Sequence, residues 1–486
     1  MYDRANPDRP SLNLFSESEL DEIHRASLEI LERVGVKIFH EEALNLLERA
    51  GARIEDDNLV KIPNDLVKRA IETSLDRVVL SNRLGERKLF LEGSKSYFGT
   101  GSDLVNTIDH ETGEHRKSSL GDVENAALVA DSLEHIDFIM SYGIPHDVKP
   151  LLQGLESFYA MLRKSVKPMV ITASSGKREI LEKMYEIGVA VAGSEDELRN
   201  NPFFVVYNEP VAPLKNSKEC MEILLFCSDH KIPVLYPPVV QAGLSGPATM
   251  AGSIAQGNAE SLAGLVVTQL NNPGSPFIAG SGGVTIFDMK DSAFPYGAPE
   301  WHMGDVVMSQ MARRYKLPSW NIAGCSDSKM PDQQAAIEGA HSILMSALGG
   351  GNLIHDMGYL DSGLTGSLDY LVMMNETIAM TKRVLKSFRV DSEHLGLDLI
   401  EKVGPGGDFL TEKHTLKHYK SESWVPELFD RGSYEDWEKE GEKTMRDRAN
   451  EKVLEILSSH EPESLPEKTR KSIEGIIQSV EETVTT

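Results

Sequence analysis

The side chains best placed for chemistry fall in one stretch, Pro318 to Asp361. A short apolar run there ends in Gly324, Cys325, Ser326, Asp327, Ser328 and Lys329. A helical pattern follows and stops at the glycines Gly349 to Gly351. A second apolar run then ends in His355, Asp356, Met357, Gly358 and Tyr359. Reactive groups at the ends of buried strands are how a β/α enzyme displays its active site. His355 is the strongest candidate, because a strand end is an unusual place for a core histidine; the alternative is a hydrogen-bonded rim histidine. Lys329 has the chemistry of a Schiff-base lysine, or is a surface residue after its SDS tripeptide. Cys325 has no local partner that would make it a nucleophile, and no Cys/His spacing in the chain fits a zinc site.

The same logic extends to the other strand ends. They carry Thr100, Ser102 and Asp103, then Tyr142, then Thr172, Ser174 and Ser175. Next come Tyr207, Asn208 and Glu209, then Tyr236 and Gln241, then Ser281. Aromatics recur there: Tyr97, Phe98, Tyr142, Tyr207, Tyr236 and Tyr359. Aromatic faces attract cations, and several together make a cage for quaternary ammonium. Asp103, Glu209, Asp327 and Asp356 are expected around the same mouth. They would balance a cationic ligand or do acid–base work, or else cap helices and brace loops.

The elements that must hold these residues alternate regularly. Strands are expected at 97–99, 138–142, 168–172, 203–207, 233–236 and 277–279 and in the two runs above, each followed by a helical pattern. Eight such units suggest an α/β fold, a TIM (β/α)8 barrel with N-terminal and C-terminal helical additions. The strands are apolar on both faces, as a covered parallel sheet requires. Pro168, Pro202, Pro233, Pro276 and Pro318 stand at or just before the start of five of them, which suits a first strand position. A doubly wound sheet competes, but GxGxxG is missing after the first strand. The expected divisions are 1–95, a helical cap with a hairpin; 96–390, the barrel; and 391–486, a charged helical extension with aromatics in its first half. Ser16 with Glu19 makes a capping box that opens the first helix.

The 486 residues are 40% hydrophobic with a net charge of -25. That balance disfavours nucleic acid and anionic membranes. Three cysteines without CxxC spacing, and no apolar leader or membrane-length run, suggest a cytoplasmic protein in a reducing compartment. A homo-oligomer is compatible with the size and the aromatic tail.

The segment LPSWNIAGCSDSKMPDQQAAIEGAHSILMSALGGGNLIHDMGYLDSG resembles the trimethylamine methyltransferase family, as do YFGTGSD, VYNEPVAPL and LEILERVGVKIFHEEALNLLERAGA. The resemblance spans nearly the whole chain. It implies a barrel that moves a methyl group from a methylated amine to the cobalt of a separate corrinoid protein. Founding members carry pyrrolysine and act on trimethylamine; this chain has standard residues throughout. It therefore resembles the branch without pyrrolysine, which acts on glycine betaine and related quaternary amines. On that reading His355, Asp327 and Glu209 are the catalytic set. Tyr97, Phe98, Asp103, Tyr142, Tyr207, Asn208, Tyr236, Gln241 and Tyr359 would bind substrate, with Asn208, Gln241 and His355 as donors to a carboxylate. The chain has no DxHxxG signature, so it would bind no metal or cofactor by its own motif, and the cobalamin would arrive on the corrinoid partner. The alternatives are a Schiff-base lyase using Lys329 and a betaine-binding protein without turnover.

Overall fold

The computed structural model describes residues 10–173 and 178–485. Ser174 and Ser175 lie outside the described residues. Seven parallel strands form the central sheet, in the order Tyr97–Phe98, Leu353–His355, Ser319–Ile322, Phe277–Gly280, Val234–Leu235, Phe204–Tyr207 and Met169–Thr172. The sheet curls. Of the strand expected at 138–142, residues 138–139 touch both edges of the sheet through single bridges, Gly99 with Phe138 and Ile139 with Met169. The chain leaves the sheet soon afterwards, at Tyr142, whose φ is 63°. The architecture is thus mixed α/β around a curled, mostly parallel sheet.

Side-chain alternation sorts each strand into two faces. Phe138, Met140, Val170, Val205, Leu235, Ile278, Trp320 and Leu353 form one buried cluster inside the curl. The hairpin of Val78–Ser81 and Arg87–Leu91 adds Val78, Leu80, Leu89 and Leu91 to that cluster. The hairpin therefore plugs the amino end of the sheet. Residues of the opposite parity, such as Phe98, Val206, Val234 and Phe277, join the larger core under the helices.

The N-terminal helices Glu17–Glu29 and Asn64–Thr73 pack on the long helix Met250–Asn271. The expected capping box is present: Ser16 Oγ accepts the Glu19 N–H, and the Glu19 carboxylate accepts the Ser16 N–H at 2.8 Å. Helix Leu368–Lys386 runs from the carboxyl end of the sheet to the amino end. Tyr142 Oη bonds the backbone at Ser367, while Lys382 reaches Asp137 at 3.2 Å. Helix Met445–Ser459 packs along it, and Glu467–Thr485 packs on Arg178–Ala192. Among the described residues the extension holds six helices, of which Met445–Ser459 and Glu467–Thr485 are the longest. Among the described residues no helix is long and apolar enough to cross a membrane.

Candidate active site

His355 ends its strand and is turned inward, two residues on from inward-facing Leu353. Its ring stacks on Trp320, with centroids 4.0 Å apart and planes at 23°. Asp356 Oδ1 lies 2.6 Å from His355 Nδ1 but out of line for a hydrogen bond, so both buried ring nitrogens lack a partner. Trp320 Nε1 is also buried and unpartnered. Buried polar atoms left unpaired are costly, so a cluster of them marks a place built for a polar guest. Asp356 takes a left-handed backbone, φ 74°, that aims its carboxylate across to Gly101. A Cβ at Gly101 would sit 2.0 Å from Asp356 Oδ1 and 2.2 Å from Tyr359 Oη, so only glycine allows this approach.

Glu209 and Asp103 face the same space. Tyr207 Oη donates to Glu209 Oε2 at 2.5 Å, and Ser102 Oγ donates to Asp103 Oδ2 at 2.7 Å. Both carboxylates touch solvent, yet both carboxyl pKa values are raised, chiefly by desolvation. Exposure together with desolvation is what the wall of an internal cavity produces. Their charged neighbours also raise the pKa: Asp103 acts on Glu209, and Asp356 acts on Asp103. Tyr207, Tyr296 and Tyr359 all sit in the field of Asp356 and Asp103, and burial first of all pushes their phenols up. The mouth thus combines three carboxylates, three tyrosines and the Trp320–His355 stack. Such a site attracts a cation and holds it against aromatic faces.

Not every expected residue points here. Phe98 and Tyr236 have outward parity. Phe98 is fully buried in the outer core, near Lys382, and Tyr236 Oη lies 3.3 Å from Cys220 Sγ with its ring against Gly264 on the long helix. Tyr97 faces inward but at the plugged end, where its Oη accepts the Phe90 N–H at 3.1 Å. Asn208 turns under the sheet to donate to the Cys220 carbonyl at 2.9 Å. Gln241 is half-buried on Val239–Ala242, which pairs with Gly283–Ile286 above the sheet. Tyr142 stands behind the wall, edge-on to Tyr359 at 5.9 Å, its Oη donating to the carbonyls of Gly358 and Ser367. Tyr359 Oη donates to the Ser102 carbonyl.

Asp327 is fully engaged: Oδ1 accepts from the Tyr296 N–H and from Ser362 Oγ, and Oδ2 from the Gly297 N–H, all within 2.9 Å. It holds the loop that carries Tyr296. Lys329 is 73% exposed and bonds the Asp327 carbonyl. Schiff-base lysines depend on burial or a neighbouring cation, and the exposure of Lys329 gives that chemistry no support. Trp320 and Tyr296 belong to the site but were missed. Trp320 lies inside a strand, where the parity set by Ile322 and Ser319 is its only signal; Tyr296 lies in a long loop. Among the described residues no group of three His, Cys, Asp or Glu could hold a metal ion.

A curled parallel sheet with its acidic, aromatic mouth at the strands' carboxyl ends defines a β/α enzyme. The profile of the trimethylamine methyltransferase (MTTB) family matches residues 3–484, and the chain belongs to that family, as a methyltransferase. It is 34% identical to trimethylamine methyltransferase MttB of Desulfitobacterium hafniense strain DSM 10664 / DCB-2 over 469 residues, 96% of this chain and 94% of that one. It is 30% identical over 474 residues to glycine betaine methyltransferase of D. hafniense strain Y51, 96% and 97% of the two chains. In fold it is similar to the monomethylamine methyltransferase of Methanosarcina barkeri, with a TM-score of 0.50 at 10% identity over 97% of this chain and 89% of that one.

Proposed function

We propose that this methyltransferase takes a methyl group from a small quaternary amine, of which glycine betaine is one, and delivers it to the Co(I) of a separate corrinoid protein. The observation that carries the reading is the mouth itself: Asp103, Glu209 and Asp356 ringed with Tyr207, Tyr296 and Tyr359 around the unpartnered His355. A quaternary nitrogen already bears the charge that lets its amine leave, so it needs no covalent activation by a special residue. That fits a chain of standard residues. The corrinoid supplies the nucleophile; the methyl C–N bond breaks and a neutral tertiary amine departs. The chain's own part is to hold the ammonium among the carboxylates and rings, aim one methyl outward and exclude water. His355, with two ring nitrogens to offer, orients the polar end of the substrate.

We read the sheet as a (β/α)8 barrel whose eighth member is the bridged segment 138–139. The corrinoid partner would seat on the connections leaving the carboxyl ends. These display Val211, Leu244, Met289, Met330 and Leu364, an apolar rim suited to another protein's surface.

The test is to mix the protein with cob(I)alamin and a panel of quaternary amines and follow the cobalt spectrum. Methylation with at least one quaternary amine, and none with trimethylamine, is the expected result. Turnover of trimethylamine alone would overturn the branch. Amine binding with no methylation at all would make this a binding protein. Borohydride trapping of a carbonyl substrate on Lys329 would favour the lyase.

A further inference from the structure

The stretch from Lys382 to Glu427 contains no buried residue. It nevertheless holds three helices, Ser392–Leu395, Leu397–Val403 and Lys413–Glu422, none of which forms a packed pair with the body. What binds them together is polar: His418 and Lys417 on Glu393, and Lys402 on Glu412 at 2.6 Å. Helices this short are marginal in water without an apolar face to bury. Apolar side chains are present on this stretch but point to solvent. Phe388, Val390, Leu397, Leu410, Leu416 and Val425 are each between 69% and 82% exposed. Six large apolar side chains exposed on one segment are the material of an interface, which takes about 800 Å² from each partner.

Two further observations decide what covers it. First, the arm leaves the body where helix Leu368–Lys386 ends, beside Asp137 at the amino end of the sheet. It is therefore at the pole opposite the mouth, where a corrinoid protein delivering cobalt to the site cannot reach it. Second, the chain carries a net charge of -25, but residues 383–422 hold seven basic and seven acidic residues. Two copies repel each other over most of their surface and are neutral here. Arg383, Lys386, Arg389 and Lys417 line a cleft of about 880 Å³ together with Asp391, Glu393 and Glu422, so the face offers both signs to itself. An isologous contact needs that self-complementarity.

We propose that residues 388–425 are a dimerisation arm, covered in solution by the same arm of a second copy. The pairing buries the apolar faces of the arm helices and leaves both mouths free at the outer poles. Light scattering on the eluting full chain, at micromolar concentration, should give twice the chain mass. The double variant Leu397→Glu with Leu416→Glu should elute as a monomer. Both side chains are exposed, so its circular dichroism and its methyl transfer to free cob(I)alamin should match the parent. A parent chain that is monomeric across the micromolar range overturns the proposal. So does a double variant that keeps the parent's mass, or an arm protected from hydrogen exchange only when the corrinoid protein is added.

Discussion

At the scale of single residues, His355 and Glu209 make separable contributions. His355 is held by its stack on Trp320, and the removal of its ring leaves that stack open but breaks no hydrogen bond. His355→Ala should therefore lower methyl transfer roughly a hundredfold with little change in melting temperature; activity near the parent's would make His355 a structural residue. Glu209 acts through charge. Its pKa, like that of Asp103, is raised by desolvation, so the negative charge is lost at a higher pH than for an ordinary carboxylate. A quaternary ammonium keeps its own charge throughout. KM for the amine should thus rise as pH falls, beginning above the usual carboxylate range. Glu209→Gln should raise KM about tenfold at neutral pH, the cost of one lost charge contact, and should flatten that pH limb. A steep limb surviving in Glu209→Gln would assign it to another group. His355, Glu209, Asp103 and Tyr207 were legible because each lies at or within a few residues of the end of an apolar run. Phe98, Tyr236 and Asn208 were not, because strands of two to four residues leave the parity open by one, and one residue reverses the face.

Elements position these groups through a few braces. Asp327 ties the loop bearing Tyr296 to the strand end after Ile322 by accepting two backbone N–H groups. Asp327→Ala leaves both donors without a partner, at a cost of roughly 1–3 kcal/mol. The loop should loosen, so KM for the amine should rise more than kcat falls; an equal fall of kcat/KM and kcat at constant KM would instead mark Asp327 as acting on the transferred methyl. The spacing showed an acid at a strand end, and an acid that braces a loop looks the same in sequence. A second brace is Glu260 on the long helix. Its Oε1 accepts the Leu214 N–H at 2.9 Å and a bond from Gln256, fixing the loop that follows Glu209, while Oε2 is buried without a partner. Burial raises its pKa from 4.5 to about 7. Between those values Glu260 is protonated when folded and ionised when unfolded. Its contribution is full below the window and lost as pH rises through it, by roughly 3 kcal/mol at most. Glu260→Gln stays neutral, so it should melt higher than the parent at pH 8 and no higher at pH 4. Equal melting curves at both values would show that the carboxyl does not titrate in this range.

Across the whole molecule, the strand–helix alternation was plain because buried parallel strands must be apolar and their helices amphipathic. Less plain was how the expected strand 138–142 meets the sheet, since its residues 138–139 touch each edge by a single bridge, which leaves no periodic trace. Nor could the hairpin's destination be read: Val78, Leu80, Leu89 and Leu91 alternate as any half-buried hairpin does, and only packing sends them into the sheet interior. The molecule that results is strongly acidic yet apolar at two places, the arm at one pole and the rim at the other. The rim makes the last prediction. Leu244 is 63% exposed and Met289 69%, and a Cβ at Gly243 would sit 3.1 Å from the Met289 methyl, so the tips of two connections meet beside the mouth. Neither side chain supports the core. On the proposed function, free cob(I)alamin would need no protein contact at the rim, whereas a protein carrier would rest on it. Leu244→Asp with Met289→Asp should therefore raise KM for the corrinoid protein at least tenfold, the scale expected when two central apolar contacts of an interface are lost, and leave the rate with free cob(I)alamin unchanged. A loss of both rates would mean that the rim shapes the amine site itself, and a loss of neither would place the carrier elsewhere.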